Sequence, residues 1–376
     1  MTLPEIRQEI DGIDDQIRDL IVRRIALAGE VAELKRNGKM PVQDTARERE
    51  IISRLTLDLD DTLAGYVKIL YTTILDLSRA HQSSLLSEGS KVADNIRAAL
   101  AGTPELFPKS AVVACQGAEG ANSTAACEKL FARPSVMYFN SFDGVCAAVD
   151  KGLCRYGVLP VENSLNGSVT AIYDLMRKYR FYIAQSVRVK VNFALLTKPG
   201  AKKINTIYSH EQALAQCSEY LQTTGAKIVP CENTAVAAKL VAESDRDDVA
   251  AVSRAECAEL YNLEVRDENI QNNGNNYTRF LCISKSLEIY PGARKLSLMI
   301  TLPHKPGALY HAMAKFSALG INLTKLESRP LPDRDFEFMF YFELDIPVYD
   351  SAVYNLFAQL ENGSERFEFL GCYSEL

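Results

Sequence analysis

The sequence predicts a multidomain chain: an all-α region first, an α/β region second, and a ferredoxin-like βαββαβ region last. Three observations carry this. Between Glu5 and Lys35 apolar residues recur at alternating steps of four and three, the mark of one long helix with a narrow apolar seam. From Ala111 onward, short apolar strand-like runs alternate with helical stretches, which argues for mixed or parallel sheets. After about residue 294 the order reads strand, helix, strand, strand, helix, strand. A chain of 376 residues is also too long for one core. The expected division is 1–87 helical, 88–108 linker, 109–287 α/β, and 294–376 βαββαβ.

The seam of the first helix is Ile6, Ile10, Ile13, Ile17, Leu20, Arg24, Leu27, Val31 and Leu34. Arg24 is the wrong residue for a packed seam, because a buried guanidinium costs several kcal/mol unless an anion meets it. Arg7 and Lys35 lie one step beyond seam positions. Asn37-Gly38 breaks the pattern, and Pro41 keeps the chain extended. Thr45-Ala-Arg-Glu48 predicts a capping box that opens a second helix reaching about Leu57. A third helix is expected from about Thr62 to Leu86, with Ser78 and Gln82 four apart on one face.

In the second region, strand-like runs are Ala111 to Cys115, Tyr156 to Pro160, Val187 to Thr197, Lys227 to Pro230, Val249 to Val252 and Phe280 to Ser284. Helices are expected over 211–223 and 234–243. In the third region, Lys295 to Leu302, Ile321 to Arg329, Glu337 to Ile346 and Phe367 to Cys372 read as strands. Gly307 to Leu319 and Ser351 to Leu360 read as helices.

A net charge of −6 argues against a general affinity for nucleic acid or a membrane surface. No apolar run approaches the ~20 residues of a membrane span. The opening MTLPEIRQEIDGIDDQ lacks a basic stretch followed by an apolar one, so no signal peptide is expected. Nine cysteines, with no C-x-x-C pair, read as buried thiols in a reducing cytoplasm. Four histidines without paired spacing make a metal site unexpected.

Arg24 and Lys35 are roughly 16 Å apart along the helix axis, close enough for two long side chains to grip one small anion. Arg7 and Lys35 are roughly 42 Å apart and cannot share a ligand within one chain. Either Arg7 is solvated, or it reaches a ligand held by a second copy across an antiparallel helix pair. A helix with so narrow a seam wants such a partner, so a homodimer or higher oligomer with intertwined helices is expected. Arg7, Arg24, Lys35 and Arg47, with Ser78 and Gln82 as neutral donors, suit a polyanion whose reaction needs orientation and charge stabilisation only. Asp44 and Glu48 have two readings, as helix caps or as ligand contacts.

This first region resembles the all-helical chorismate mutase family. The likeness runs from Ile6 to Met40, through Pro41-Val-Gln-Asp44-x-x-Arg47-Glu48-x-Glu50, to Ser78-x-x-x-Gln82. The resemblance implies an interlocked dimer that rearranges chorismate to prephenate. Arg7 from the partner, Arg24 and Arg47 would bind carboxylates, with Ser78 near them. Lys35 and Gln82 would donate to the ether oxygen, and Asp44 and Glu48 would hold the ring hydroxyl.

Four polar clusters punctuate the second region: Gly117 to Ser123, Pro160-Val-Glu162-Asn163-Ser164-Leu-Asn-Gly167, Tyr208-Ser209-His210-Glu-Gln212-x-x-x-Gln216, and Asn276-Tyr-Thr278-Arg279-Phe280. Each has a structural reading as a cap or turn. Three follow strand-like runs, where α/β proteins place ligand loops. Together, in this order and spacing, they resemble prephenate dehydratases over about 110–285. The resemblance implies two α/β lobes around a cleft, like a periplasmic binding protein, and conversion of prephenate to phenylpyruvate. Thr278 would donate to the leaving hydroxide and Arg279 would bind a carboxylate. Glu162, Asn163, Ser164, Ser209 and Gln216 would match other cleft positions. Ala118 and Asn122 depart from the family pattern, in which a Pro and an aromatic are frequent.

In the third region, Pro306-Gly307-Ala308-Leu309 and Leu326-Glu327-Ser328-Arg329-Pro330 resemble the effector motifs of ACT regulatory domains. Phenylalanine would sit between Gly307, Ala308 and Leu309 of one chain and Glu327 and Ser328 of another, as a feedback inhibitor. Over nearly its whole length the chain thus resembles bifunctional chorismate mutase/prephenate dehydratases, with chorismate and prephenate as substrates and no metal or other cofactor implied. Two rivals stand beside this reading. One is a non-catalytic amino-acid sensor; the other is a chain that has lost one activity. A fused dehydrogenase is disfavoured, since no G-x-G-x-x-G follows a strand.

Overall fold

The structure is a computed structural model that describes residues 1–38, 40–86, 90–304, 306–331, 337–363 and 366–376. Residues 87–89, where the sequence places the passage from helical region to linker, lie outside the described residues. The chain forms two compact units, residues 1–95 with 298–368 and residues 96–297 with 369–376.

The long helix predicted from the seam is α1 (Leu3–Gly38). It is followed by α2 (Thr45–Thr56), α3 (Asp61–Leu86) and α4 (Lys91–Gly102). Small residues set the approach of α1 to α3: Ala28 and Ala32 are buried, and a Cβ on Gly29 would lie 3.4 Å from His81 and Leu85 of α3. The apolar seam faces elsewhere. Its eight apolar side chains are 40–66% exposed. The capping box expected of Thr45 and Glu48 does not form. Asp44 is the N-cap and accepts from the Arg47 amide at 3.0 Å. The helix therefore starts one residue earlier in the motif than expected, and Glu48 is left to pair with Arg79 of α3.

After α4 come β1 (Ser110–Gln116), α5 (Asn122–Leu130), β2 (Arg133–Phe139), α6 (Phe142–Asp150), β3 (Tyr156–Asn163), β4 (Gly167–Ser168), α7 (Thr170–Lys178) and β5 (Tyr182–Lys190). Then follow β6 (Ala194–Thr197), β7 (Thr206–His210), α8 (Glu211–Gln216), α9 (Ser218–Thr224), β8 (Lys227–Cys231), α10 (Thr234–Glu243), β9 (Val249–Ser253), α11 (Cys257–Tyr261), β10 (Glu264–Asp267) and β11 (Tyr277–Ser284). They build two sheets, one in the order β2-β1-β3-β11-β5 with β4 beside β3, the other in the order β10-β6-β9-β7-β8. The chain crosses from the first sheet to the second between β5 and β6 and returns between β10 and β11. These are two lobes joined by two crossings.

The single strand expected over Val187 to Thr197 is thus two strands in different sheets. Val191 and Phe193, in the crossing itself, are buried, so the apolar run continues through the break and hides it. The helix expected over 211–223 is also two, parted at Cys217, whose φ of −114° and ψ of 16° leave the helical region. The first lobe's core joins Val113, Cys127, Phe131, Tyr156 and Phe280. Phe107, from the stretch expected as linker, stacks against Phe131 and Tyr290 at 5.1 and 5.0 Å between ring centroids.

The remaining elements are β12 (Lys295–Leu302), α12 (Ala308–Ala318), β13 (Asn322–Pro330), β14 (Phe338–Asp345), α13 (Ser351–Gly363) and β15 (Arg366–Tyr373). Their sheet order, β13-β14-β12-β15, interleaves two split βαβ units, as the βαββαβ reading requires. All nine cysteines are free thiols, eight of them buried. Burial pushes the thiols of Cys146 and Cys217 up to about 12, far from thiolate chemistry at neutral pH. Among the described residues, no helix is long and apolar enough to cross a membrane.

Candidate active sites

In the helical unit, α1 and α3 bring Arg24 and Ser78 together: an Arg24 Nη1 donates to Ser78 Oγ, which itself donates to the Ile74 carbonyl at 2.8 Å. Gln82, one turn on, is buried, and its Oε1 has no hydrogen-bond partner among the described residues. Lys35 Nζ donates to the Val42 carbonyl and so ties the end of α1 to the segment before α2. Glu48 meets Arg79, which also pairs with Asp76. Arg79 was not singled out in the sequence, although its position beside Ser78 was the available signal. Asp44 serves as a cap. Arg47 is exposed and bonded to Glu50 at 2.7 Å. Arg7, also exposed, stands about 26 Å along α1 from Arg24, so one chain does not bring it to the other cations.

In the two-lobed unit, a cavity of about 580 Å³ lies between the two sheets. Its polar edge is a chain of hydrogen bonds. Asn163 Nδ2, at the end of β3, donates to Thr278 Oγ1 at 3.1 Å and to Asn276 Oδ1 at 2.8 Å. Asn276 Nδ2 donates in turn to Gln216 Oε1 at 3.0 Å, across to the second lobe. Asn163 Oδ1 accepts from the amides of Leu165 and Asn166, which fixes its amide and thereby the donor aimed at Thr278. Asn276, buried in the middle of this chain, was noted only as a flank of Thr278.

Thr278, Asn163 and Gln216 therefore line the cavity as expected. Four other expected residues do not. Arg279 follows Thr278 on β11 and points to the opposite face, because side chains alternate along a strand. It is 3% exposed, with Nε 3.2 Å from Glu162 Oε1. Glu162 is thereby its ion-pair partner rather than a cavity residue. Ser164 clamps the turn: its Oγ donates to the Asn275 carbonyl at 3.0 Å and accepts from the Tyr277 amide at 2.9 Å. Ser209 is fully buried and donates to the Val252 carbonyl at 2.6 Å.

Among the described residues, no lysine or arginine lines the cavity. First turns of helices line it instead: Asn122 and Ser123 of α5, Thr170 and Ala171 of α7, Gln212 of α8, and Thr234 of α10. Side chains cap two of these helices, His210 on α8 and Asn233 on α10. The other two, α5 and α7, have no side-chain cap. Uncapped first-turn amides with the helix dipole behind them favour an anion. Asn122 Oδ1, a buried acceptor, has no hydrogen-bond partner among the described residues and would suit a ligand donor rather than a carboxylate.

The expected effector residues sit at two places. Gly307, with φ of +82°, precedes α12, and Ala308 and Leu309 begin that helix. Only glycine suits Gly307: a Cβ there would be strained and would meet the His311 ring at 3.1 Å. His311 Nδ1 in turn lies 2.6 Å from Asp76 of α3. Glu327 and Ser328 lie on β13, an edge strand of its sheet.

Comparison with known proteins places the chain in a family. The chain matches the family models Chorismate mutase type II over residues 6–83 and Prephenate dehydratase over residues 113–288. It is 29% identical over 374 residues to the bifunctional chorismate mutase/prephenate dehydratase of Aquifex aeolicus, covering 99% of this chain and 97% of that one. It is 34% identical over 279 residues to the chloroplastic arogenate dehydratase/prephenate dehydratase 1 of Arabidopsis thaliana, covering 69% and 71%. Among solved structures, the prephenate dehydratase of Arthrobacter aurescens in complex with L-Phe matches with a TM-score of 0.65 at 29% identity, over 70% of this chain and 89% of that one. The chain belongs to the family of bifunctional chorismate mutase/prephenate dehydratases.

Proposed function

We propose that the chain converts chorismate to prephenate and prephenate to phenylpyruvate, under feedback control by L-phenylalanine. Residues 1–87 carry the first reaction, 109–287 the second, and 294–376 form an ACT domain that senses phenylalanine, with 88–108 as linker. The observation that carries the reading is the Asn163–Thr278 and Asn276–Gln216 hydrogen-bond chain along a cavity of about 580 Å³. Family membership supports it independently.

In the first reaction a C–C bond forms as the ether C–O bond breaks, and nothing leaves, so the protein has only to orient the substrate and stabilise charge on the ether oxygen. Arg24 and Arg47 hold carboxylates, Ser78 fixes Arg24, and Lys35 and Gln82 donate to the ether oxygen. The partnerless Gln82 Oε1 and the exposed apolar seam both support a site completed by a second copy, with Arg7 supplied from it. Asp44 and Glu48 act through α2: Asp44 caps it, and Glu48 ties it to Arg79.

In the second reaction a carboxylate leaves as carbon dioxide. Its electron pair moves into the ring and expels the ring hydroxyl, which needs a proton to leave as water. Thr278 supports this as a hydrogen-bond donor: its oxygen accepts from Asn163, which turns the hydroxyl hydrogen toward the cavity. The first turns of α5 and α7 receive the carboxylates in the role expected of Arg279. The L-Phe complex of the Arthrobacter relative supports phenylalanine as effector, held at Gly307, Ala308 and Leu309 of one copy and Glu327 and Ser328 of another. Nine free thiols fit a reducing cytoplasm.

A coupled assay on the purified chain tests the proposal. Chorismate should give phenylpyruvate, and added phenylalanine should suppress the second step. Thr278→Ala should stop the sequence at prephenate, with dehydratase turnover down about 100-fold or more. Lys35→Ala should slow the first step in kcat more than in KM while prephenate is still consumed at the parent rate. A Thr278→Ala variant with parent dehydratase turnover would defeat the assignment.

A further inference from the structure

We infer that Glu375 is a positioning residue for the dehydratase, holding Arg279 so that Thr278 faces the cavity. The inference rests on the reading of Thr278 given above and adds to it a residue far along the sequence.

Beyond β15 the chain lies alongside β5 and lengthens the first sheet. The Ser186 amide donates to the Ser374 carbonyl at 3.0 Å, the Leu376 amide to the Ser186 carbonyl at 2.9 Å, and the Arg188 amide to the Leu376 carbonyl at 3.1 Å. The approach begins at Gly371, whose φ is +140° and where a Cβ would lie 2.4 Å from the Ile183 carbonyl oxygen. No other residue type fits that contact. Backbone pairing and close approach together fix where Glu375 stands.

Its carboxylate, 16% exposed, meets three cations: Arg188 at 2.7 Å, Lys295 at 3.1 Å and Arg279 at 3.5 Å. The need for it is electrostatic. Arg279 and Arg188 are directly opposed on β11 and β5, and like charges so placed destabilise the pair. Arg279 is almost fully buried, where an uncompensated charge is costly. Glu162 supplies one negative charge from β3, and Glu375 supplies the second.

Orientation matters here because the ladder is irregular. Arg279 pairs with Glu162 but Phe280 with Pro160, a register shift immediately after Arg279. Pro160 has no amide to donate, and a bulge leaves the strand's local rotation less determined by backbone bonds. A guanidinium gripped on the far face by two carboxylates sets that rotation, and with it the direction of Thr278 on the near face. Supports of this kind hold reacting groups to within a fraction of an ångström.

The experiment compares Glu375→Gln, Arg188→Met and the double variant in the full chain, with mutase turnover, circular dichroism and thermal melting as controls. Glu375→Gln should lower dehydratase kcat about tenfold to a hundredfold, with KM changed less than about threefold and mutase turnover unchanged. Glu375→Gln with Arg188→Met, which restores the charge balance, should recover most of the loss. If Glu375→Gln alone fails to fold, the double variant decides: recovered dehydratase turnover supports the inference, and a folded double variant with no recovery overturns it. A folded Glu375→Gln enzyme with parent dehydratase kcat also overturns it, as does an equal loss of both activities that the double variant does not repair. Thr278→Ala in the same assay separates this from the underlying reading: parent turnover there refutes the role of Thr278, whereas an inactive Thr278→Ala beside a normal Glu375→Gln refutes the role of Glu375 alone.

Discussion

The helical region and the two-lobed region meet the same task, holding a small dianion, by opposite means. The helices offer charged side chains on a surface one chain leaves open: Arg7 and Arg47 are exposed, and so is the apolar seam beside them. The lobes offer a cleft whose lining, among the described residues, contains no lysine or arginine, and which instead gathers the first turns of helices. On the proposed reading, one site depends on assembly and on exposed charged side chains, and the other on backbone groups that the fold of a single chain already fixes.

Breaking assembly is the strongest way to test that contrast. Covering a half-exposed seam residue contributes roughly 1 kcal/mol, so eight in each copy make a substantial drive to pair. Ile13→Asp with Ile17→Asp should put charges into the seam, yield a monomer by sedimentation, and reduce mutase turnover about 100-fold or more. Dehydratase turnover without phenylalanine should stay near that of the parent. A monomeric variant with full mutase activity would remove the need for Arg7 from a second copy.

A smaller effect probes the lobes. Thr170 is the first residue of α7, a position where proline fits the helix but carries no amide hydrogen. Thr170→Pro, compared with Thr170→Val, which already lacks the hydroxyl, should therefore remove a single amide donor from the cavity and leave the melting temperature nearly unchanged. We expect KM for prephenate to rise about tenfold, the worth of one charge-assisted hydrogen bond. An unchanged KM would mean that α7 does not receive a carboxylate.

The same contrast explains what was legible in the sequence. A guanidinium in an apolar seam stands out because its side chain violates the pattern, so Arg24, which meets Ser78, could be read from spacing. The three helices and the interleaved βαββαβ order followed from periodicity as well. Helix starts as anion sites could not be read this way, since every helix has one and only the tertiary fold decides which of them converge. Arg279 misled for the complementary reason. Its charge next to Thr278 suggests a ligand, but strand alternation sends it to the other face, and its partner Glu375 is 96 residues away in sequence. The crossing at 191–193 was hidden because its apolar residues are buried like those of the strands it joins.

The smallest expected effect is one of ionic strength. Raising chloride from about 0.05 to 0.5 M shortens the screening length from roughly 14 to 4 Å. Ions reach exposed guanidinium and ammonium groups directly, so both the capture of chorismate and its ground-state binding weaken. The amides of α5 and α7 are neutral groups, fixed in place and partly shielded by the cavity walls, and a screening ion competes with them less. KM for chorismate should accordingly rise about threefold to fivefold over this range, and KM for prephenate by less than about twofold. Because both activities reside on one chain, the two titrations can share one preparation, and the mutase titration must be run above the concentration at which sedimentation shows the assembled state. Equal salt dependence for the two substrates would mean that the dehydratase also relies on a mobile cation, and the side chain to examine first would be Arg279, turned toward the cavity when substrate binds.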